Sequence, residues 1–174
     1  DVLEFICRRY PEAWLTLSSL YQEDNKPEKA IEAQKSYLEY TDDEYQKLSS
    51  WNTLVQLYFR SGDWNGEIHS LIEICEISVT PLEKASASID RINSILSKHK
   101  YSSDSEKEIM IKRLIHAFKI KMEGEPVKAS DCSELAWLYL HINSKAEAKK
   151  AIIKGLSLDP EHHHCLKLKK TLKI

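Results

Sequence analysis

Turn-forming residues are scarce: the 174-residue chain contains four glycines and five prolines. Hairpins, sandwich edges and barrel corners draw heavily on such residues, so an architecture of many short strands is excluded. Sustained period-two alternation of apolar and polar residues is missing as well, which removes the other mark of a half-buried strand. No run approaches the roughly 18 uninterrupted apolar residues that a bilayer-spanning helix needs, and no secretory leader pattern is visible. An excess of either charge is also lacking: 25 basic residues stand against 27 acidic ones, a net charge of −2. The chain as a whole therefore has no electrostatic footprint for a nucleic-acid backbone. A local concentration of cations, Lys167, Lys169, Lys170 and Lys173, reads as a solvated helix face.

Motifs that carry chemistry are equally thin. Neither a GxxxxGKS or GxxxxGKT loop nor a GxGxxG loop is present, so no phosphate cradle is expected. The four cysteines, Cys7, Cys75, Cys132 and Cys165, form no C-x-x-C pair. The first three fall on apolar helical stripes, as small hydrophobes of a reduced, cytoplasmic protein do. His69, His99, His116 and His141 are scattered without a spacing that predicts a catalytic triad. The run His162-His163-His164-Cys165 after Glu161 offers zinc-ligand chemistry in principle. Successive residues on a helix point about 100° apart, however, so consecutive histidines cannot all face one ion. Glu161 and Cys165 have a usable spacing but need two further ligands. No metal, cofactor or catalytic residue is expected.

What the sequence does hold is helical periodicity. Hydrophobic residues make up 42% and charged residues 30%, a balance that supports a folded core. Apolar residues recur at three- and four-residue steps, as in Ala13, Trp14, Leu17, Leu20 and Tyr21, or Leu135, Leu138, Tyr139 and Ile142. Turn signals separate the stripes. Pro27 opens one helix, Gly62 closes another with Asp63 as the next N-cap, and Thr80-Pro81 and Asp159-Pro160 are read the same way. Ser105 is the expected cap after the polar Ser102–Ser105 stretch. The pattern predicts helices over 2–9, 11–24, 27–41, 44–60, 64–78, 82–99, 105–122, 129–142, 145–157 and 161–172.

One spacing repeats: an apolar residue, Leu three later, a small residue next to it, Tyr three after that and Ala nine further on. The first copy is Trp14, Leu17, Ser18, Tyr21 and Ala30. The second is Trp51, Leu54, Val55 and Tyr58, with Glu67 in the place of Ala. The last is Cys132, Leu135, Ala136, Tyr139 and Ala148, running on to Ile152 and Pro160. This pattern resembles the tetratricopeptide repeat, W-x₂-L-G-x₂-Y, then A-x₃-F, then P. The departures are specific. Glycine follows none of the leucines, Gln34 stands where the first copy should carry an aromatic, and Trp14 to Trp51 is 37 residues against a usual 34. Residues 82–122 form a helix pair by pattern but fit no copy.

The resemblance implies an all-α, α-α superhelix (tetratricopeptide-like solenoid) of about four helix pairs in a single domain over 1–174. The units are 11–44, 48–81, 82–126 and 129–160, with a capping helix over 161–174. It further implies a non-catalytic protein-interaction module, whose partner peptide or protein lies against the first helix of each pair. Residues between the core positions of those helices then face the groove: Glu12, Leu15, Ser19 and Gln22, then Ser49, Asn52, Gln56, Phe59 and Arg60, and lastly Ser130, Ser133, Trp137, Leu140 and His141. Asn52, Gln56, Phe59, Arg60, Trp137 and His141 are the candidate binding residues, with Trp137 the aromatic anchor unless it packs on the irregular third pair. The chain opens at Asp1 inside a helical pattern, which reads as a piece of a longer protein. The same array would then serve as the regulatory or sensor part of a larger signalling or defence protein, an NTPase or effector. Leu3, Phe5 and Ile6 at the uncapped start are expected to permit self-association.

Overall fold

The structure, a computed structural model, describes residues 2–99 and 104–173. Among the described residues every regular element is a helix. In chain order these are α1 (Val2–Arg9), α2 (Ala13–Glu23), α3 (Pro27–Tyr40), α4 (Glu44–Ser61), α5 (Trp64–Glu76), α6 (Leu82–Lys98), α7 (Asp104–Gly124), α8 (Ala129–His141), α9 (Lys145–Leu158) and α10 (His163–Leu172). They fall into two compact units, Asp1–Val79 and Thr80–Ile174.

In the first unit, α2 pairs with α3 and α4 with α5, as the periodic stripes require. The α2/α3 seam explains two departures from the repeat pattern at once. Ser18, standing where glycine is usual, is fully buried and donates its hydroxyl to the Ala30 carbonyl at 3.1 Å. Gln34, standing where an aromatic is usual, is also buried and donates its amide to Ser18 Oγ at 3.2 Å. A buried polar group is tolerated when it is hydrogen-bonded, so each substitution makes room for the other. Leu20, expected on the apolar stripe, is instead 51% exposed. The stripe needs only Trp14, Leu17, Ser18 and Tyr21 to meet α3, and Leu20 falls at the edge of that face.

The α4/α5 pair resolves a third departure. Glu67 occupies the alanine place and is buried. The close approach is made one residue earlier, by Gly66, where an added Cβ would lie 2.5 Å from the Tyr58 ring. Asp63 caps α5 by accepting from Gly66 N at 3.0 Å, after Gly62 ends α4 in the left-handed region at φ 75°. Asp43 caps α4 through Gln46 N at 2.9 Å. The Gln46 side chain in turn accepts from the hydroxyls of Thr41 and Tyr37, tying the end of α3 to the first turn of α4. At 18 residues, α4 is longer than α2, with 11, and this accommodates the longer repeat period.

The second unit opens with the pair that fits no copy. Its helices are long, 17 and 21 residues, against 13 and 14 for α8 and α9. Ile89, Ile92 and Ile95 of α6 and Ile111, Leu114 and Phe118 of α7 form its buried face. The start of α6 is locked to the end of α7. Lys121 Nζ donates to the Thr80 carbonyl at 2.8 Å, and Glu125 Oε1 accepts from Leu82 N at 2.8 Å. Glu125 thereby does at a distance what an N-cap side chain does locally, because Thr80-Pro81 supplies no side-chain cap. The expected Ser105 cap falls inside the helix, since α7 already begins at Asp104; Ser102 and Ser103 lie outside the described residues.

In α8/α9 the small residues do the packing. Cys132, Ala136, Ala148 and Ile152 are fully buried. At Gly155 three helices converge: an added Cβ would lie 2.6 Å from Cys165 Sγ of α10 and 3.0 Å from Cys132 Cβ of α8. Asp159 does not cap α10. His162 does, with Nδ1 accepting from Cys165 N at 3.4 Å, while Asp159 accepts from Glu161 N at 3.0 Å in the turn before it. Cys165 is buried, its thiol 3.6 Å from the Ala129 carbonyl, and burial pushes its pKa up to about 11. It is a packing residue and not a free ligand.

Candidate functional site

Within the second unit α6 packs beside α8, and the two helices, with the 125–128 turn and the start of α10, line an open groove of about 580 Å³. The α8 wall is a single stripe. Ser130, Ser133, Glu134, Trp137 and His141 are spaced three, four or seven apart, so they share one side of the helix while Cys132, Leu135 and Ala136 face the core. Ser130, Ser133 and Glu134 line the groove, and Trp137 continues the stripe a turn further on, 37% exposed. Its ring lies 6.3 Å from that of His141.

The groove is acidic. Glu83 and Asp90 of α6, Glu125 of the turn, and Asp131 and Glu134 of α8 line it, with Lys128 and the histidines 162 and 164 at its margin. Among the described residues none of these five carboxylates is in an ion pair. Glu125 and Asp131 are committed to backbone, to Leu82 N and to Lys128 N at 2.7 Å. Glu134 is 7% exposed and receives one bond, from Asn93 Nδ2 of α6 to Oε2 at 2.8 Å. Burial pushes its pKa up to about 7; the Asn93 bond pulls it down, and the charges of Asp90 and Asp131 raise it further. Asn93 Oδ1 is buried and has no hydrogen-bond partner. Two turns along the same stripe His141 is shifted the opposite way, down to about 4, by burial and by the nearby Lys107 cation.

The candidate residues of the first unit sit on α4. Asn52, Gln56 and Phe59 share a face, Gln56 and Arg60 are exposed, and Phe59 is 57% exposed. The Asn52 amide donates back to the Leu48 carbonyl of its own helix, so it is partly engaged. Ser19, another expected groove residue, likewise bonds back to Leu15 at 3.1 Å. Glu134, Asp131 and the α6 carboxylates were not among the expected binding residues. Glu134 was recoverable, since it sits four residues after Ser130 and three before Trp137. The α6 wall was not, because residues 82–98 carry no repeat signature to say which face turns toward α8.

The sequence profile of the tetratricopeptide repeat matches residues 11–44 and 132–162, that is, the α2/α3 pair and the α8/α9 pair from Cys132 to the turn before α10. Over these two stretches the chain carries tetratricopeptide repeats. Repeats of this family generally serve as modules for binding proteins or peptides, and the family is typically non-catalytic scaffold. No curated protein matches the chain. Among the described residues no helix is long and apolar enough to cross a membrane.

Proposed function

We propose that this chain is a non-catalytic protein-interaction module and that the α6/α8 groove of the second unit receives an extended segment of its partner. The observation that carries this reading is the α8 stripe, where Ser130 and the buried Glu134 line the groove on the same side of the helix as a partly exposed Trp137. Such a face offers an aromatic anchor beside directional polar groups, the composition of energetically dominant interface positions. His141 extends this surface. On α4, the face of Asn52, Gln56 and Phe59, with Arg60 at its border, is a second surface for a protein partner. The buried thiols Cys7, Cys75, Cys132 and Cys165, all free, fit a cytoplasmic setting. Phe5 and Ile6 of α1 are exposed, and self-association through α1 would cover them.

The test is to select binding peptides by display on the whole chain and to map them by amide chemical shifts. Peptides are expected to perturb residues 130–141 and 83–93, and Trp137→Ala is expected to weaken them about tenfold, roughly 1.4 kcal/mol, with the helical melt unchanged. Peptides that bind without touching α8 would remove the groove from the reading. Loss of affinity on Arg60→Ala alone would move the site to α4.

A further inference from the structure

Given the groove as the partner site, a reading on which this inference rests, we propose that its floor holds a cationic side chain of the partner, an arginine or a lysine, against Glu134, Asp90 and Asp131. The argument begins with an incomplete arrangement. A carboxylate removed from water is costly unless it is paired with a cation and its lone pairs are bonded. Glu134 is nine-tenths buried, yet among the described residues it has one hydrogen bond and no cation. Its neighbours make the deficit larger, since the nearest charges, Asp90 and Asp131, are also negative.

The groove also holds a free acceptor on the buried acid. Among the described residues Glu134 keeps Oε1 available beyond the Asn93 bond. A guanidinium carries five N–H groups and no acceptor, so it can bond the Glu134 carboxylate with one edge while its charge faces Asp90 and Asp131. An ammonium reaches the same oxygens as a point charge with three donors. Trp137, the next exposed residue along the stripe, provides an aromatic surface for the aliphatic stem or the cation itself. A metal ion is the poorer occupant: among the described residues no three acidic, histidine or cysteine side chains converge closely enough to hold one.

The probes are acetylated, amidated Gly/Ser pentapeptides with a central arginine, lysine, citrulline or norleucine, titrated into the labelled full chain. The arginine and lysine peptides are expected to shift amides of residues 90–93 and 130–137, and the citrulline and norleucine peptides to bind at least tenfold more weakly. Glu134→Gln keeps the side-chain shape and an oxygen for Asn93. It is expected to lower arginine-peptide affinity about tenfold while leaving the norleucine peptide unaffected. Equal binding of citrulline and arginine, or indifference to Glu134→Gln, overturns the cation and leaves the groove standing. If none of the four peptides shifts groove amides, the cation falls on that result. The groove falls separately, if display-selected peptides also map elsewhere.

Discussion

The first and last helix pairs carry the same spacing of large and small residues and match the same repeat profile, yet their seams close by different chemistry. In α2/α3 the seam is polar: the Gln34 amide donates to Ser18 Oγ, which donates in turn to the Ala30 carbonyl, and both residues are buried. In α8/α9 it is made of small groups, Cys132, Ala136, Ala148 and Gly155, and the absence of a side chain at Gly155 lets Cys165 reach the seam. What the two pairs share is therefore close packing of their two helices. Residues of quite different chemistry can make such a contact.

The pair also differs in what it does with its first helix. The outer face of α8 holds Glu134 and His141, whose pKa values move in opposite directions, to about 7 and about 4. Their contributions to stability have opposite signs. Between about pH 4.5 and 7 the folded state holds a proton on Glu134 that the unfolded chain has lost, so stability falls as pH rises. Between about pH 4 and 6.5 the unfolded chain holds a proton on His141 that the folded state refuses, so stability rises with pH. Each effect is on the order of 3 kcal/mol, and the two oppose each other across the shared window. The largest expected effect follows from separating them. Glu134→Gln should make stability climb from pH 4 to 6.5, and His141→Gln should make it decline from pH 4.5 to 7. Denaturant titrations across this range check it, and parallel profiles for the two variants would discard the assignment.

Next in size is a change that breaks the last seam. Gly155→Ala gains helix propensity but drives a methyl group into Cys165 and Cys132, with an expected net loss of about 2 kcal/mol. Adding Cys165→Ala should recover most of it. If the single variant is as stable as the wild type, the close approach at Gly155 is not limiting.

The first seam breaks more gently. Ser18→Ala strands the Gln34 amide and should cost about 1–2 kcal/mol, whereas Ser18→Ala with Gln34→Met removes both partners and should cost less than the single change. Additive losses in that double-mutant cycle would mean that the two side chains are not coupled. The smallest effect, about 1 kcal/mol, is expected from Asp63→Ala, which deletes the α5 cap; protection of the first turn of α5 in hydrogen exchange would report it.

Much of this was legible in advance. The ten helices among the described residues follow from three- and four-residue periodicity and a few turn signals, since burying one face of a helix imposes a period that survives in the residues themselves. The Asp63 cap and the unusual length of the 82–122 pair were readable for the same local reason. The groove was half legible. Ser130, Ser133 and Trp137 lie on a helix whose core positions the repeat identifies, so its outer face follows by elimination. Glu83, Asp90 and Asn93 lie on α6, where no repeat marks the core and nothing local says which side meets α8.

By itself, then, the sequence determined the helices, their pairing and the repeat to which two of the pairs belong, because periodicity and spacing are properties of short stretches of chain. Only the tertiary structure decided that Gly66 and not Glu67 lets α5 approach α4, that Ser18 and Gln34 complete each other, and that Glu134 is shut away beside two other acids without a cation. Those outcomes depend on which atoms from distant turns come within bonding distance and how much water remains between them. Neither quantity is written in any one segment.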